Sequence, residues 1–266
     1  MNRLEKHFQS LKEKNEKALI LFITAGDPSL EETLNIMEAL AANGADCIEL
    51  GVPFSDPVAD GPVIQRSTMR ALQNSVTLDG ILQLVATFRQ KHDTPIVLMG
   101  YLNPILRYGA EAFVSACQQH GVDGLIIADL PYEEGEELEA ICREHDVNLI
   151  YLLAPEISNE RTRAILKASS GFVYCVSHYG TTGVDQSPDA HINQVIASVK
   201  DMTDLPVAVG FGISSPQKAQ AAARFADGVI IGSWLIRELE TAENRVKTAA
   251  EFAKKAKRAI SSGSKG

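Results

Sequence analysis

The chain has 266 residues, which allows one large domain or two small ones, and its hydrophobic content of 45% is ample for a buried core. A formal charge of -9 argues against a nucleic-acid partner, which asks for a basic stripe. The opening stretch has no apolar core of signal-peptide length and no run approaches a membrane span. Cys47, Cys117, Cys142 and Cys175 are far apart, without a C-x-x-C pair or a histidine cluster, so the expectation is a reduced, cytoplasmic protein without structural zinc.

In chain order, residues 1–14 read as an extra helix before the first strand. Apolar, β-rich runs then recur at 18–24, 46–50, 94–99, 123–128, 148–153, 171–176, 205–209 and 227–231. Most are nearly continuous hydrophobics, as strands buried on both faces of a parallel sheet are. Amphipathic stretches separate them. Leu30, Leu34, Met37 and Leu40 keep helical spacing, as do Ile192, Val195, Ile196 and Val199. Ser29 before Glu32 and Ser158 before Arg161 are helix-start signals.

Eight strands alternating with helices in about 250 residues is the arithmetic of a (β/α)8 barrel. A doubly wound open sheet is the alternative, but no G-x-G-x-x-G follows the first strand. No linker divides the chain, so residues 1–266 read as a single barrel domain with extra N-terminal and C-terminal helices and a flexible tail at 261–266. Lys254, Lys255, Lys257 and Arg258 read as the exposed face of the last helix.

Barrels place their chemistry where strands end. Glu49 falls near the end of the second strand, on the same face as Cys47. A carboxylate so placed either pairs with a polar neighbour or transfers protons, with its pKa raised by burial. The loop that follows, GVPFSDPVADGP, is longer than a βα connection needs and holds Asp56 and Asp60. Asp-Pro and Asp-Gly are also turn formers in their own right, so Asp56 has two readings. Glu49 and Asp60 could face each other across a pocket and share acid–base work.

After the seventh strand comes GFGISSP (210–216), and after the eighth comes Gly232-Ser233-Trp234, where Ser233 opens a helix. Barrels bind phosphate between these two loops, on backbone N–H groups and a helix N-terminus. The sixth loop, with Gly180, Thr181, Thr182 and Gly183, reads as a mobile lid or a plain polar loop. Tyr174, in the strand before it, faces either the ligand or the core.

Taken together, FITAGDPS, IELGVPFSDPVADGPVIQRS, PIVLMGYLNPILRYG, DGLIIADLPYEE, AVGFGIS and DGVIIGS resemble the tryptophan synthase alpha-subunit family from about residue 15 to 240. The resemblance implies retro-aldol cleavage of indole-3-glycerol phosphate to indole and glyceraldehyde 3-phosphate. It implies no cofactor in this chain, and an α2β2 heterotetramer with a β subunit that carries pyridoxal phosphate. By matching motif, Glu49 is the acid/base and Asp60 the carboxylate near the indole N–H. Phe22, Ile64, Tyr101 and Ala128 line the indole pocket with Tyr174 close by, and Thr182, Gly183, Phe211, Gly212, Gly232 and Ser233 hold the glycerol phosphate. Pro53, Asp56, Pro57 and Asn103 lie on the surface that meets β. The sequence leaves the family pattern in the sixth loop, where His178, Tyr179 and Thr181 replace the usual residues.

Competing barrels of related pathways need a catalytic lysine at a strand end, or aspartates ending the first and fifth strands. Here the first strand leads to Thr24 and no strand ends in lysine. A catalytically silent barrel would have lost Glu49 or Asp60, and both are present. A stand-alone indole-releasing lyase differs from the two-subunit enzyme only in its response to β.

Overall fold

The computed structural model describes residues 1–155, 157–176, 188–210 and 212–263. Nine parallel strands form one sheet: β1 (Ala18–Thr24), β2 (Cys47–Gly51), β3 (Ile96–Gly100), β4 (Gly124–Ile127), β5 (Asn148–Leu149), β6 (Leu152–Leu153), β7 (Val173–Val176), β8 (Val207–Gly210) and β9 (Gly228–Ile231). Their order is β5-β4-β3-β2-β1-β9-β8-β7-β6. The two outermost strands are consecutive in the chain, so the sheet curls round and closes as a (β/α)8 barrel.

The fifth run of the sequence, 148–153, is therefore not one strand but two. Its first half bonds β4 and its second half bonds β7, and the chain changes neighbour at Ile150 and Tyr151. Ile150 N still donates to Leu125 O at 2.9 Å, and Tyr174 N reaches Tyr151 O only at 3.4 Å. Each of these two pairings spans two residues, the shortest in the sheet.

Helices fill the spaces between strands, with two after the long second loop, Pro62–Gln73 and Leu78–Arg89. The anticipated start signals are in place: Ser29 accepts from Glu32 N at 3.1 Å and Ser158 from Arg161 N at 3.3 Å. The helix Arg3–Glu13 begins one residue before its apolar stripe because Asn2 and Glu5 form a reciprocal cap. Its Leu4, Phe8 and Leu11 pack into the barrel's N-terminal end among Ile20, Cys47, Val97, Ile126, Phe172 and Ile230. Phe8 meets Phe172 with ring centroids 5.5 Å apart. A second, larger core joins the outer strand faces to the helices. Residues alternating along each strand thus serve two cores.

A repeated polar device closes the same end. Asp46, Asp123 and Asp227 stand just before β2, β4 and β9. Their carboxylates accept from the backbone N–H of Leu19 (2.7 Å), Ile96 (2.8 Å) and Val207 (3.1 Å), each at or near the start of a neighbouring strand. Each is matched by cations: Lys257 Nζ at 2.5 Å from Asp46, Arg89 Nη2 at 2.7 Å from Asp123, and Lys200 Nζ at 2.6 Å from Asp227.

This corrects one expectation. Lys254, Lys255 and Arg258 are exposed, but Lys257 turns inward, because it lies beside the buried stripe of Ala253, Ala256 and Ile260 and finds Asp46 there. The helix Arg245–Gly263 also runs into the segment expected as a tail, where Ser262 Oγ donates to Ala259 O, while residues 264–266 lie outside the described residues. All four cysteines are buried and unpaired. No described helix is long and apolar enough to cross a membrane.

Candidate active site

Glu49 is the middle residue of β2, two positions from its end. Its strand neighbours are Phe22 and Val97, so its side chain enters the barrel on the same side as Cys47. Only 1% of it is exposed, and Oε2 has no hydrogen-bond partner among the described residues. A buried carboxylate without a partner is costly, and the group responds by holding its proton. Burial lifts the pKa of Glu49 to about 8, with the charge of Asp60 adding to it. At neutral pH Glu49 is mainly a carboxylic acid.

Asp60 arrives by another route. The loop after β2 folds in short turns, with Val58 N on Asp56 O at 2.9 Å and Asp60 N on Pro57 O at 3.0 Å. Pro62 then starts the next helix at a position that has no need of an N–H. Tyr101, buried at the end of β3, donates its hydroxyl to Asp60 Oδ2 at 3.0 Å and accepts from Ala59 N at 3.1 Å. The Phe54 ring packs on Tyr101 at 5.3 Å. Burial raises the Asp60 pKa, and the Tyr101 hydrogen bond partly offsets this by favouring the charged form. Two carboxyls thus share one site in unequal surroundings.

They open into a cavity of about 300 Å³. Phe22, Ile64 and Tyr174 give it apolar walls, and Gly212, Gly232 and Ser233 also line it. A Cβ on Gly210 would collide with Tyr174 Oη, so the missing side chain makes room for the tyrosine to face inward. Gly212 has φ +70, a backbone conformation that glycine adopts without strain. Ser233 begins the helix Ser233–Glu240, whose positive end adjoins this glycine-lined wall.

Tyr101 and Ala128 are not on the cavity wall. Tyr101 stands behind Asp60 and fixes it, and Ala128 lies just past β4 with its N–H on Gly100 O at 2.9 Å. Thr182, Gly183 and Phe211, with the expected lid and its His178, Tyr179 and Thr181, lie outside the described residues. The cavity also has walls that sequence reading did not single out, namely Met99, Ile213, Ile230 and Arg237. Strand alternation could have found two of them, since Met99 follows Val97 by two and Ile230 follows Gly228 by two. Arg237 could have been found from its helical spacing to Ser233.

Asp56 points away from the cavity. It is exposed and accepts from Ser55 Oγ at 2.5 Å. Pro53 and Pro57 are half-buried and Asn103 is exposed, and two exposed apolar side chains, Val58 and Leu106, belong to the same two segments.

The chain matches the tryptophan synthase alpha chain family over residues 8–263. The tryptophan synthase subunit alpha of Legionella pneumophila strain Paris is similar, at 38% identity over 98% of both chains with a TM-score of 0.90. The alpha chain from Legionella pneumophila subsp. pneumophila is 39% identical over 98% of this chain and 97% of that one, also at 0.90. A ligand-free tryptophan synthase from M. tuberculosis is 35% identical, covering 98% of this chain and 99% of that chain at 0.89. A closed parallel barrel, an acid-bearing second strand and a match over nearly the whole length agree, and the chain belongs to the tryptophan synthase alpha chain family, lyases that cleave indole-3-glycerol phosphate in tryptophan biosynthesis.

Proposed function

We propose that Glu49 and Asp60 are the groups that carry this cleavage. The bond to be broken joins C3 of the indole to C3′ of the glycerol chain. Protonation at C3 makes the ring an electron sink. Loss of the C3′ hydroxyl proton then drives the C3–C3′ electron pair back into the ring and leaves an aldehyde. Glu49 holds a proton at neutral pH and delivers it, and the carboxylate so formed takes the hydroxyl proton. Asp60, kept in place by Tyr101, accepts from the indole N–H as positive charge spreads to the ring nitrogen. The observation that carries this reading is the buried carboxyl of Glu49, whose Oε2 has no partner among the described residues, in one cavity with Asp60.

Phe22, Ile64 and Tyr174 enclose the indole, with Ala128 assigned to that side by motif alone. Gly212, Gly232 and Ser233 receive the glycerol phosphate, with Thr182, Gly183 and Phe211 assigned to the same end by motif. This half-reaction needs only proton transfers, so it runs without a cofactor of its own. The surface of Pro53, Asp56, Pro57 and Asn103 docks a β subunit, which brings pyridoxal phosphate and consumes the indole in a cytoplasmic α2β2 assembly.

The test is indole release from indole-3-glycerol phosphate, measured with and without a β subunit. Glu49→Gln is expected to lower turnover by roughly 10²–10⁴-fold while substrate still binds. Asp60→Asn is expected to be severely impaired, because an amide cannot balance the ring charge. Turnover above a tenth of the parent in Glu49→Gln would remove Glu49 from the mechanism.

A further inference from the structure

The cavity holds the Asp60 carboxylate beside a Glu49 that keeps its proton, yet the substrate brings a phosphate of roughly -1.5 to -2 charge near pH 7. Among the described residues the cavity wall holds one cationic side chain, Arg237. It lies on the helix Ser233–Glu240, four residues beyond Ser233, and residues so spaced share a face. Helical side chains lean toward the N-terminus, so the guanidinium is carried back over the turn that begins at Ser233.

Its charge is uncommitted. Glu240, three residues on, is the obvious partner on that face, but two other arginines hold it. Arg70 Nη1 is 2.7 Å from Glu240 Oε1, and Arg66 donates to both oxygens, at 3.1 and 3.0 Å. Glu238 accepts from Trp234 Nε1 at 3.1 Å. Arg237 itself makes no ion pair and no side-chain hydrogen bond among the described residues, in a chain whose net charge is -9. Lys218, six residues beyond Gly212, donates to Gly212 O at 3.3 Å, which shapes the loop.

We infer that Arg237 is the charge-reading residue of the phosphate end, selecting a phosphorylated glycerol chain over a neutral one. It supplies the positive charge that the backbone N–H groups lack and offsets repulsion between the phosphate and the Asp60 carboxylate. This rests on the assignment of that end to phosphate. Arg66 and Arg70 contribute indirectly, by keeping Glu240 from neutralising Arg237.

The experiment compares the parent with Arg237→Gln and Arg237→Lys on indole-3-glycerol phosphate and on its phosphate-free counterpart, indole glycerol. In Arg237→Gln the preference for the phosphorylated substrate, as a ratio of kcat/KM, is expected to fall roughly tenfold. The fall should come through KM, with a weaker dependence of KM on salt. Arg237→Lys should restore most of the preference. Equal losses on both substrates, or an unchanged ratio, would overturn the inference. Titration calorimetry with glycerol phosphate reads the same residue without turnover. If the parent released no indole, the assigned function would fail, and unchanged glycerol phosphate affinity in Arg237→Gln would still sink the role of Arg237 separately.

Discussion

Glu49 sets function against stability within one side chain. Its pKa is near 4.5 in the unfolded chain and about 8 when folded, so between those values the native state binds the extra proton. Stability linked to Glu49 is therefore fully present below pH 4.5 and is lost as pH rises toward 8, by about 1.4 kcal/mol per pH unit. Glu49→Gln carries no such charge. Its melting temperature relative to the parent is expected to climb between about pH 5 and pH 8, and a constant difference across that range would show that the carboxyl is not buried as described. Activity has the matching sign. The parent's kcat/KM is expected to decline above about pH 8, where Glu49 has lost the proton it must deliver.

At the scale of elements, opposite ends of the strands do different work. The C-terminal ends make the cavity from glycines and inward side chains, and there a small change in shape reaches the substrate. Gly232→Val would press against Phe22, since even a Cβ meets the Phe22 Cβ at 3.3 Å. Gly212→Val would strain a backbone at φ +70. Both are expected to weaken glycerol phosphate binding at least several-fold by calorimetry, and unchanged affinity with an intact fold would place the phosphate elsewhere. The N-terminal ends hold the aspartates that tie neighbouring strands. Asp123 is buried between Arg89 and Arg3, so Asp123→Ala leaves cations and the Ile96 N–H without their partner. A loss of about 3–5 kcal/mol in denaturant unfolding is expected, with KM unaffected. A change in KM of similar weight would mean that the two ends are not independent.

For the whole molecule, the second loop serves two surfaces at once. Asp60 turns into the cavity while Asp56, four residues earlier, stays in solvent beside the exposed Val58. In an αβ complex of standard size, roughly 1,200–2,000 Å² would be buried in total. Asp56→Ala is expected to reduce activation by β severalfold more than it reduces the isolated chain's indole release. Equal reduction in both assays would confine Asp56 to its turn.

Continuous apolar runs mark the strands in the sequence and period-3.6 patterns mark the helices, because burial imposes both locally. Glu49 is conspicuous there because an acid inside an apolar strand costs stability, and such a cost persists where the acid's chemistry is used. Gly232 and Ser233 are conspicuous because their place in the repeat is where a barrel gathers its loops. Local pattern does not say what meets what. The split of 148–153 arises where the sheet closes on itself, a condition on two distant edges at once. Lys257 reads as one more surface lysine, yet the fold sets it beside Asp46, 211 residues away. Arg237 reads as ordinary too, since its availability depends on Arg66 and Arg70 having already taken Glu240. The sequence by itself determined which runs are strands and helices and which stripe of most helices is buried, because burial repeats along the chain. Only the tertiary structure decided the charge partners, because these are chosen by packing between segments that chain order does not bring together.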